Sequence, residues 1–240
     1  DRGCQQLKGE NFVNDGKQLV YHEQENGKRI QWHTLSVPRG GEYKLVLADG
    51  TRVWLNAASE LMYPDHFSAD QRKVVLKGEA YFEVTKDVKR PFSVVLGDME
   101  VKVLGTSFNV SAYPGVKRQT TLIEGQVAVN WHRQQVVIRP GQQAAETDEG
   151  LRVASVNVMN YVGWKEHRFV YENKLLGEVL EDLERWYDVE VFVMHDEIRN
   201  LHLTANLPKY ENMDKVLEII EYAACVKFEV KGRTVVVRRD

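Results

Sequence analysis

The chain has 240 residues, 43% hydrophobic and 28% charged, enough to bury two modest cores without disulfide staples and unlike a disordered or fibrous composition. Lys and Arg number 32 against 35 Asp and Glu, a formal charge of −3 with no long basic run, which argues against nucleic-acid binding. No stretch of about 18 consecutive apolar residues occurs, so the sequence as it stands holds no membrane-crossing helix.

Residues 1–34 are polar, with one alternating stretch at Leu19-Val20-Tyr21-His22 and a turn signal at Asn26-Gly27-Lys28. They read as a membrane-proximal segment able to add an edge strand to the neighbouring β-rich region. The chain opens on Asp1 with neither an initiator Met nor the basic-then-apolar pattern of a signal peptide, so the expectation is a piece of a longer protein. Cys4 lies in this polar leader. Cys225 ends an apolar helical pattern and reads as a small core residue, and whether the two pair is left open.

From residue 35 to residue 158 the signals are almost wholly β. Runs at 43–47, 52–55, 73–76, 81–84, 92–95 and 100–104 alternate or are β-branched, and Gly, Asp, Asn and Pro separate them. Asp49-Gly50 between two such runs predicts a two-residue hairpin turn with positive φ. Gly78 beside Glu79, and Gly125 beside Glu124, predict bulges or corners where a strand steps from one sheet to another. Gly105-Thr106-Ser107 reads as another strand corner. Pro91 has no amide donor and suits the start of a strand, with Phe92 turned inward. Strands about every 8 to 12 residues with corner glycines suit a sandwich or a short solenoid of stacked turns. There is no strict internal repeat in this stretch.

Beyond residue 151 the composition changes, and 161–240 reads as a small β-α-β-β-α-β domain closed by a further strand. A strand at 168–171 leads into a helix whose Leu176, Val179, Leu180, Leu183 and Tyr187 form one apolar face. Glu178, Glu181, Asp182, Glu184 and Arg185 fall on its wet side. Strands at 189–193 and 201–207 come next, the latter alternating cleanly. Asn212 is the expected N-cap of a second helix that carries Val216, Leu217, Ile220 and Ala224 inward, ahead of strands at 227–230 and 234–237.

No arrangement of residues points to catalysis, a cofactor or a metal. His22, His33, His66, His132, His167, His195 and His202 show none of the spacings that put two ligands on one face. Carboxylate pairs such as Glu79 and Glu83, which share a strand face, suit glycosidase chemistry by spacing alone. There is no phosphate-binding glycine loop before a helix and no serine elbow. Trp32, Trp54, Trp131, Trp164 and Trp186 leave a carbohydrate-binding all-β module as the alternative function.

Five signatures occur in one order: Leu47-Ala48-Asp49-Gly50-Thr51, Leu76-Lys77-Gly78-Glu79-Ala80-Tyr81-Phe82-Glu83-Val84, Arg90-Pro91-Phe92, Leu104-Gly105-Thr106-Ser107-Phe108-Asn109-Val110 and Glu124-Gly125-Gln126-Val127. The string resembles the periplasmic domain of FecR-type anti-sigma factors. The tail from about Trp164 looks like the C-terminal domain that comes after it in Bacteroidetes-type members, similar to the short signalling domain of secretins and TonB-dependent transducers. The resemblance implies a twisted, β-solenoid-like first domain, with a jelly-roll or cupin-like sandwich as runner-up. In it Asp49, Gly50, Thr51, Gly78, Glu79, Phe82, Pro91, Phe92, Gly105, Thr106, Phe108 and Gly125 are structural. It further implies a non-enzymatic periplasmic portion of a single-pass inner-membrane protein. The partners would be the signalling domain of a TonB-dependent outer-membrane transducer and, through a cytoplasmic segment absent here, a sigma factor. For partner binding, the strand at 201–207 offers an edge with His202, Thr204 and Asn206 on its polar side.

Overall fold

The computed structural model describes residues 7–8, 12–14, 18–21, 29–209 and 212–239. The chain forms two compact units, one running to Val158 apart from Arg39–Gly41, the other comprising Arg39–Gly41 and the chain from Met159. It is mainly β, 52% strand, with a few short helices.

The first unit opens with β1 (Leu7–Lys8), β2 (Phe12–Asn14), β3 (Gln18–Tyr21), β4 (Trp32–Val37), β5 (Tyr43–Val46), β6 (Arg52–Leu55), β7 (Ser59–Pro64) and β8 (Arg72–Glu83). It continues with β9 (Phe92–Leu96), β10 (Met99–Val103), β11 (Ser107–Ala112), β12 (Gln119–Glu124), β13 (Val127–Trp131), β14 (Gln134–Ile138), β15 (Gln142–Thr147) and β16 (Gly150–Ser155). One half of the sheet runs β1-β2-β3-β5-β6-β8-β11-β12-β15-β16. The other runs β4-β7-β8-β9-β10-β13-β14, so the halves share β8. From the leader, β3 pairs in parallel with β5, Leu19 opposite Leu45.

Gly78 is where β8 changes partners. Before it the strand pairs with β7 and β9, after it with β6 and β11. Its φ is +90°, and a Cβ there would lie 2.4–2.8 Å from Ser59, so only glycine fits this corner. Ser59 Oγ accepts the Glu79 N–H at 2.8 Å, which satisfies a donor that the corner would otherwise orphan. Downstream, successive hairpins alternate between the halves: β9–β10, then β11–β12, β13–β14 and β15–β16. Gly105 and Gly125 stand at the first two crossings, where a Cβ would meet the Lys86 backbone at 2.6 Å and Thr106 Oγ1 at 2.8 Å.

The core lies between the halves. Leu45, Val53, Phe82 and Phe108 from one meet Leu61, Val74, Phe92 and Val101 from the other, all fully buried. Phe82 and Phe108 stack at 5.2 Å, and Phe92 lies 6.1 Å from Phe82. Each such side chain contributes about 1.5–3 kcal/mol on burial.

The Asp49-Gly50 turn departs from expectation. Gly50 N–H donates to Leu47 O, Leu47 N–H to Thr51 O, and only Gly50 of the two turn residues has positive φ. The connection is therefore a type I turn closed by a left-handed glycine, with three loop residues instead of two. Asp49 keeps negative φ because its carboxylate turns back to take the Thr51 N–H at 3.0 Å and hydroxyl at 2.7 Å.

The second unit contains α1 (Met159–Val162), a 3₁₀ turn (Gly163–Glu166), β17 (Arg168–Leu175), α2 (Leu176–Tyr187), β18 (Glu190–Val193) and a 3₁₀ turn (Asp196–Asn200). It ends with β19 (His202–Pro208), α3 (Met213–Ala224), β20 (Val226–Lys231) and β21 (Thr234–Arg239). Two small sheets result, antiparallel β17–β19 and the three-stranded β18-β21-β20, in which β18 runs parallel to β21. Leu176, Val179, Leu180 and Leu183 of α2 meet Val216, Leu217 and Ile220 of α3 in one core with Val235 and Val237. The Asn212 side chain accepts the Asp214 N–H at 2.8 Å and caps α3.

Cys225 is not a core residue. It is exposed and occupies the left-handed position that ends α3, with φ +53°. The helix stops there because Cys225 takes the left-handed conformation, its N–H still bonded to Glu221 O as the last helical link. Cys4 lies outside the described residues.

Candidate functional site

The first unit's signatures converge on buried polar clusters. Arg72, fully buried, donates from Nη1 to Asp49 Oδ2 and Thr85 O, both at 2.7 Å, and from Nε to Arg90 O at 2.8 Å. Its own N–H goes to Pro91 O, and its guanidinium lies 5.6 Å from the Phe92 ring. Thr51 Oγ1 accepts from Thr85 N–H. The Asp-Gly-Thr and Arg-Pro-Phe signatures are thus two sides of one guanidinium socket. Nothing in the periodicity around residue 72 announces it.

Glu79 anchors a second cluster. The amides of Asn56 and Asn109 donate to its carboxylate at 2.7 and 2.9 Å. Glu83, its neighbour on the strand face, instead pairs with Arg52 at 3.4 Å. Thr106 Oγ1 donates to Gln126 O, tying the corner at Gly105 to the one at Gly125.

A third cluster joins hairpin ends of the first unit. Arg118 donates to Glu146 at 2.6 Å, to Leu96 O at 2.6 Å and to Asp98 at 2.5 Å, and Trp131 Nε1 also donates to Asp98, at 3.0 Å. The Arg118 and Trp131 bonds hold the Asp98 carboxyl down at about 2, and Arg118 holds Glu146 below the usual carboxylate range.

Four of the five tryptophans are engaged at three different places, and Trp32 is exposed. Trp54 meets Tyr81 edge-on, Trp131 serves Asp98, and Trp186 lies 3.5 Å beneath the Lys209 ammonium, with Trp164 and Phe169 each 5.7 Å away. Among the described residues no group of three or more His, Cys, Asp or Glu is gathered to hold a metal. Among them too, no helix is long and apolar enough to cross a membrane.

In the second unit β19 pairs, among the described residues, only with β17. Leu203 and Leu207 are buried, while His202, Thr204 and Asn206 are exposed. The Lys209 N–H to His167 O bond and the Leu176 N–H to Leu201 O bond fix the ladder's phase from both ends. Backbone groups of Leu203, Ala205 and Leu207 therefore face β17, and those of His202, Thr204 and Asn206 face the open edge. Pro208 ends that row without a donor.

The sequence did not show how two of these side chains are held. The register slips between Tyr171 and Lys174, where Asn173 adopts positive φ and gives its N–H to Thr204 Oγ1 at 2.9 Å. Arg168 Nε donates to Asn206 Oδ1 at 2.7 Å. Arg168 Nη2 also donates to Asn206 O at 3.4 Å, so both side chains are held by β17 and the far edge is left as backbone at His202 and Thr204.

Two family models match this chain. Residues 33–128 match the FecR protein model and residues 168–237 the FecR C-terminal model. A crystal structure described as a candidate anti-sigma factor from Parabacteroides distasonis ATCC 8503 superposes with a TM-score of 0.81 at 26% identity, covering 87% of this chain and 99% of that one. A second crystal structure with the same description and organism gives a TM-score of 0.81 at 26% identity over 88% of this chain and 100% of that one. No curated protein matches. With both modules matched and nearly the whole of such a structure reproduced, the chain belongs to the FecR-like anti-sigma factors.

Proposed function

We propose that this chain is the periplasmic sensor-transmitter portion of a membrane-anchored anti-sigma factor. It takes a signal from a TonB-dependent outer-membrane transducer and passes it to an extracytoplasmic-function sigma factor held by a cytoplasmic segment. It acts by binding, not by chemistry. The first unit, with hairpins alternating between two halves around a shared strand, is read as a short, twisted stack of the solenoid type that carries the signal toward the membrane.

The observation that carries the reading is the open edge of β19. Among the described residues, the backbone groups of His202 and Thr204 that face away from β17 are open, over a strand anchored by buried Leu203 and Leu207, while the Asn206 carbonyl is already taken by Arg168 Nη2 at 3.4 Å. An extended segment of the transducer's signalling domain adds there by main-chain pairing. Titration calorimetry of this chain against the signalling domain of the transducer encoded beside it tests the reading. Saturable binding that Thr204→Pro abolishes supports it. Binding of equal strength by a folded Thr204→Pro variant removes β19 as the edge, and no binding by the wild type removes the transducer.

A further inference from the structure

The three-stranded sheet of the second unit has two edges, β18 and β20, and each is stopped in the same way. Glu190 and Met194 give their N–H groups to Arg233 O and Val237 O, so Val191 and Val193 face away from β21. The Val191 N–H is taken at 2.7 Å by the Glu184 carboxylate of α2, seven residues earlier. On β20 the Phe228 N–H, which also faces away from β21, is taken at 2.7 Å by the Glu221 carboxylate of α3, again seven residues earlier.

The arrangement is duplicated down to the backbone. Each helix ends on a left-handed residue, Asp188 or Cys225, whose N–H returns to the carbonyl of the same glutamate. The pairs Val179/Val216, Leu180/Leu217, Glu181/Glu218, Glu184/Glu221, Val189/Val226 and Val193/Val230 are identical at one constant offset. Both glutamates flank the apolar faces of their helices and are only partly exposed, which brings each carboxylate to the strand N–H that it takes.

An independent observation shows what the guarded edge would otherwise attract. β18 exposes Phe192 at 56% and Met194 just beyond it at 60%, on an edge strand of sequence Glu-Val-Phe-Val. Such a strand is self-complementary. Two copies meeting antiparallel about Phe192 would exchange bonds between Val191 of one and Val193 of the other and set the two phenyl rings opposite each other.

We propose that Glu184 and Glu221 are a duplicated pair of edge guards that close this sheet to strand addition, above all to a second copy of this chain pairing through β18. They leave the far edge of β19 available for the partner, a clause that rests on the function proposed above. Each carboxylate occupies a donor that an incoming strand would need, and brings a charge that such a strand would have to desolvate.

The test uses the whole chain in sedimentation velocity over a wide concentration range. Wild type and Glu184→Gln, whose amide oxygen still accepts, stay monomeric. Glu184→Ala forms a reversible dimer, and Phe192→Lys added to it restores the monomer. Amide exchange reads the guards directly: Val191 exchanges at least about tenfold faster in Glu184→Ala, and Phe228 does so in Glu221→Ala, the factor expected for losing one hydrogen bond. A folded Glu184→Ala that sediments as the wild type overturns the proposal, as does a wild-type dimer that Phe192→Lys dissolves. Should Glu184→Ala fail to fold, unchanged Phe228 exchange in Glu221→Ala overturns it instead. The guards and the transducer reading fail separately, because dimerisation of Glu184→Ala requires no transducer and the Thr204→Pro titration involves no guard.

Discussion

Asp49 and Arg72 form an ion pair of 2.7 Å in which the Arg72 side chain has no solvent exposure and that of Asp49 has 5%. The same carboxylate closes the Leu47 turn and the same guanidinium closes the loop before β9, so one contact fixes two connections. Arg72→Ala strands a buried carboxylate and Asp49→Asn leaves a fully buried guanidinium without its counter-charge, so each is expected to cost about 3–5 kcal/mol. Chemical denaturation followed by far-UV circular dichroism measures both.

Gly78→Ala is expected to be worse than a surface substitution by more than the left-handed backbone alone explains. The conformation costs about 1–3 kcal/mol for a residue with a side chain, and the new methyl would also press into Ser59. Gly232→Ala is the control, because it shares positive φ but has open space around it. The prediction is wrong if the two variants melt together.

Acid should loosen the first unit in a defined window. Asp98 is held at about 2 in the folded chain against an ordinary 3.8, chiefly by its bond from Arg118 and then by that from Trp131. A lowered folded value means that the contribution is complete above the ordinary value and is lost as pH falls toward 2. Asp87, held at about 2 chiefly by its bond from Arg90, titrates in the same window. Arg118→Ala should therefore flatten the acid limb of the stability profile in part, and Arg118→Ala with Arg90→Ala should flatten it further.

The Lys209 ammonium, over Trp186 with Trp164 and Phe169 nearby, holds the chain where β19 ends. Lys209→Met keeps much of the volume without the charge and is expected to cost about 1–2 kcal/mol, with a changed near-UV dichroism from the two indoles. Unchanged spectra and melting would show that the ring contacts contribute nothing.

Cys225 should react with a thiol reagent in the native state, since it is exposed. Cys225→Gly is expected to stabilise the second unit by about 0.5–1 kcal/mol, because glycine takes the left-handed helix end without the Cβ penalty. Cys225→Ala should not stabilise it. Thermal melting of the two variants decides.

What could be read from the residues was whatever depends on local period or on a conformation only one residue type accepts. Leu176, Val179, Leu180 and Leu183 fall at helical spacing and are buried together. Gly78 and Gly105 sit at corners because no other residue fits there. The alternation of residues 201–207 put Leu203 and Leu207 inside. Contacts made by charged side chains were illegible. Arg72 is one basic residue at the head of a strand, and its carboxylate partner lies two strands earlier. Glu184 and Glu221 look like solvated helix faces until the strand N–H groups beneath them are located. The turn at Asp49 departs from the two-residue expectation because its carboxylate turns back to the Thr51 N–H and hydroxyl while also receiving Arg72.

The sharing of β8 between the two halves also dictates an order of assembly. In the first half β6 lies next to β8, and in the second β7 does, so the hairpins made before residue 72 have no sheet to join until β8 exists. Completing β8 in turn requires β9 on one side of Gly78 and β11 on the other. A nascent chain must therefore emerge as far as Leu96 before β8 is flanked on both sides in the second half and as far as Ala112 before it is in the first, so the central strand gains its neighbours from the middle of the unit and not from its beginning.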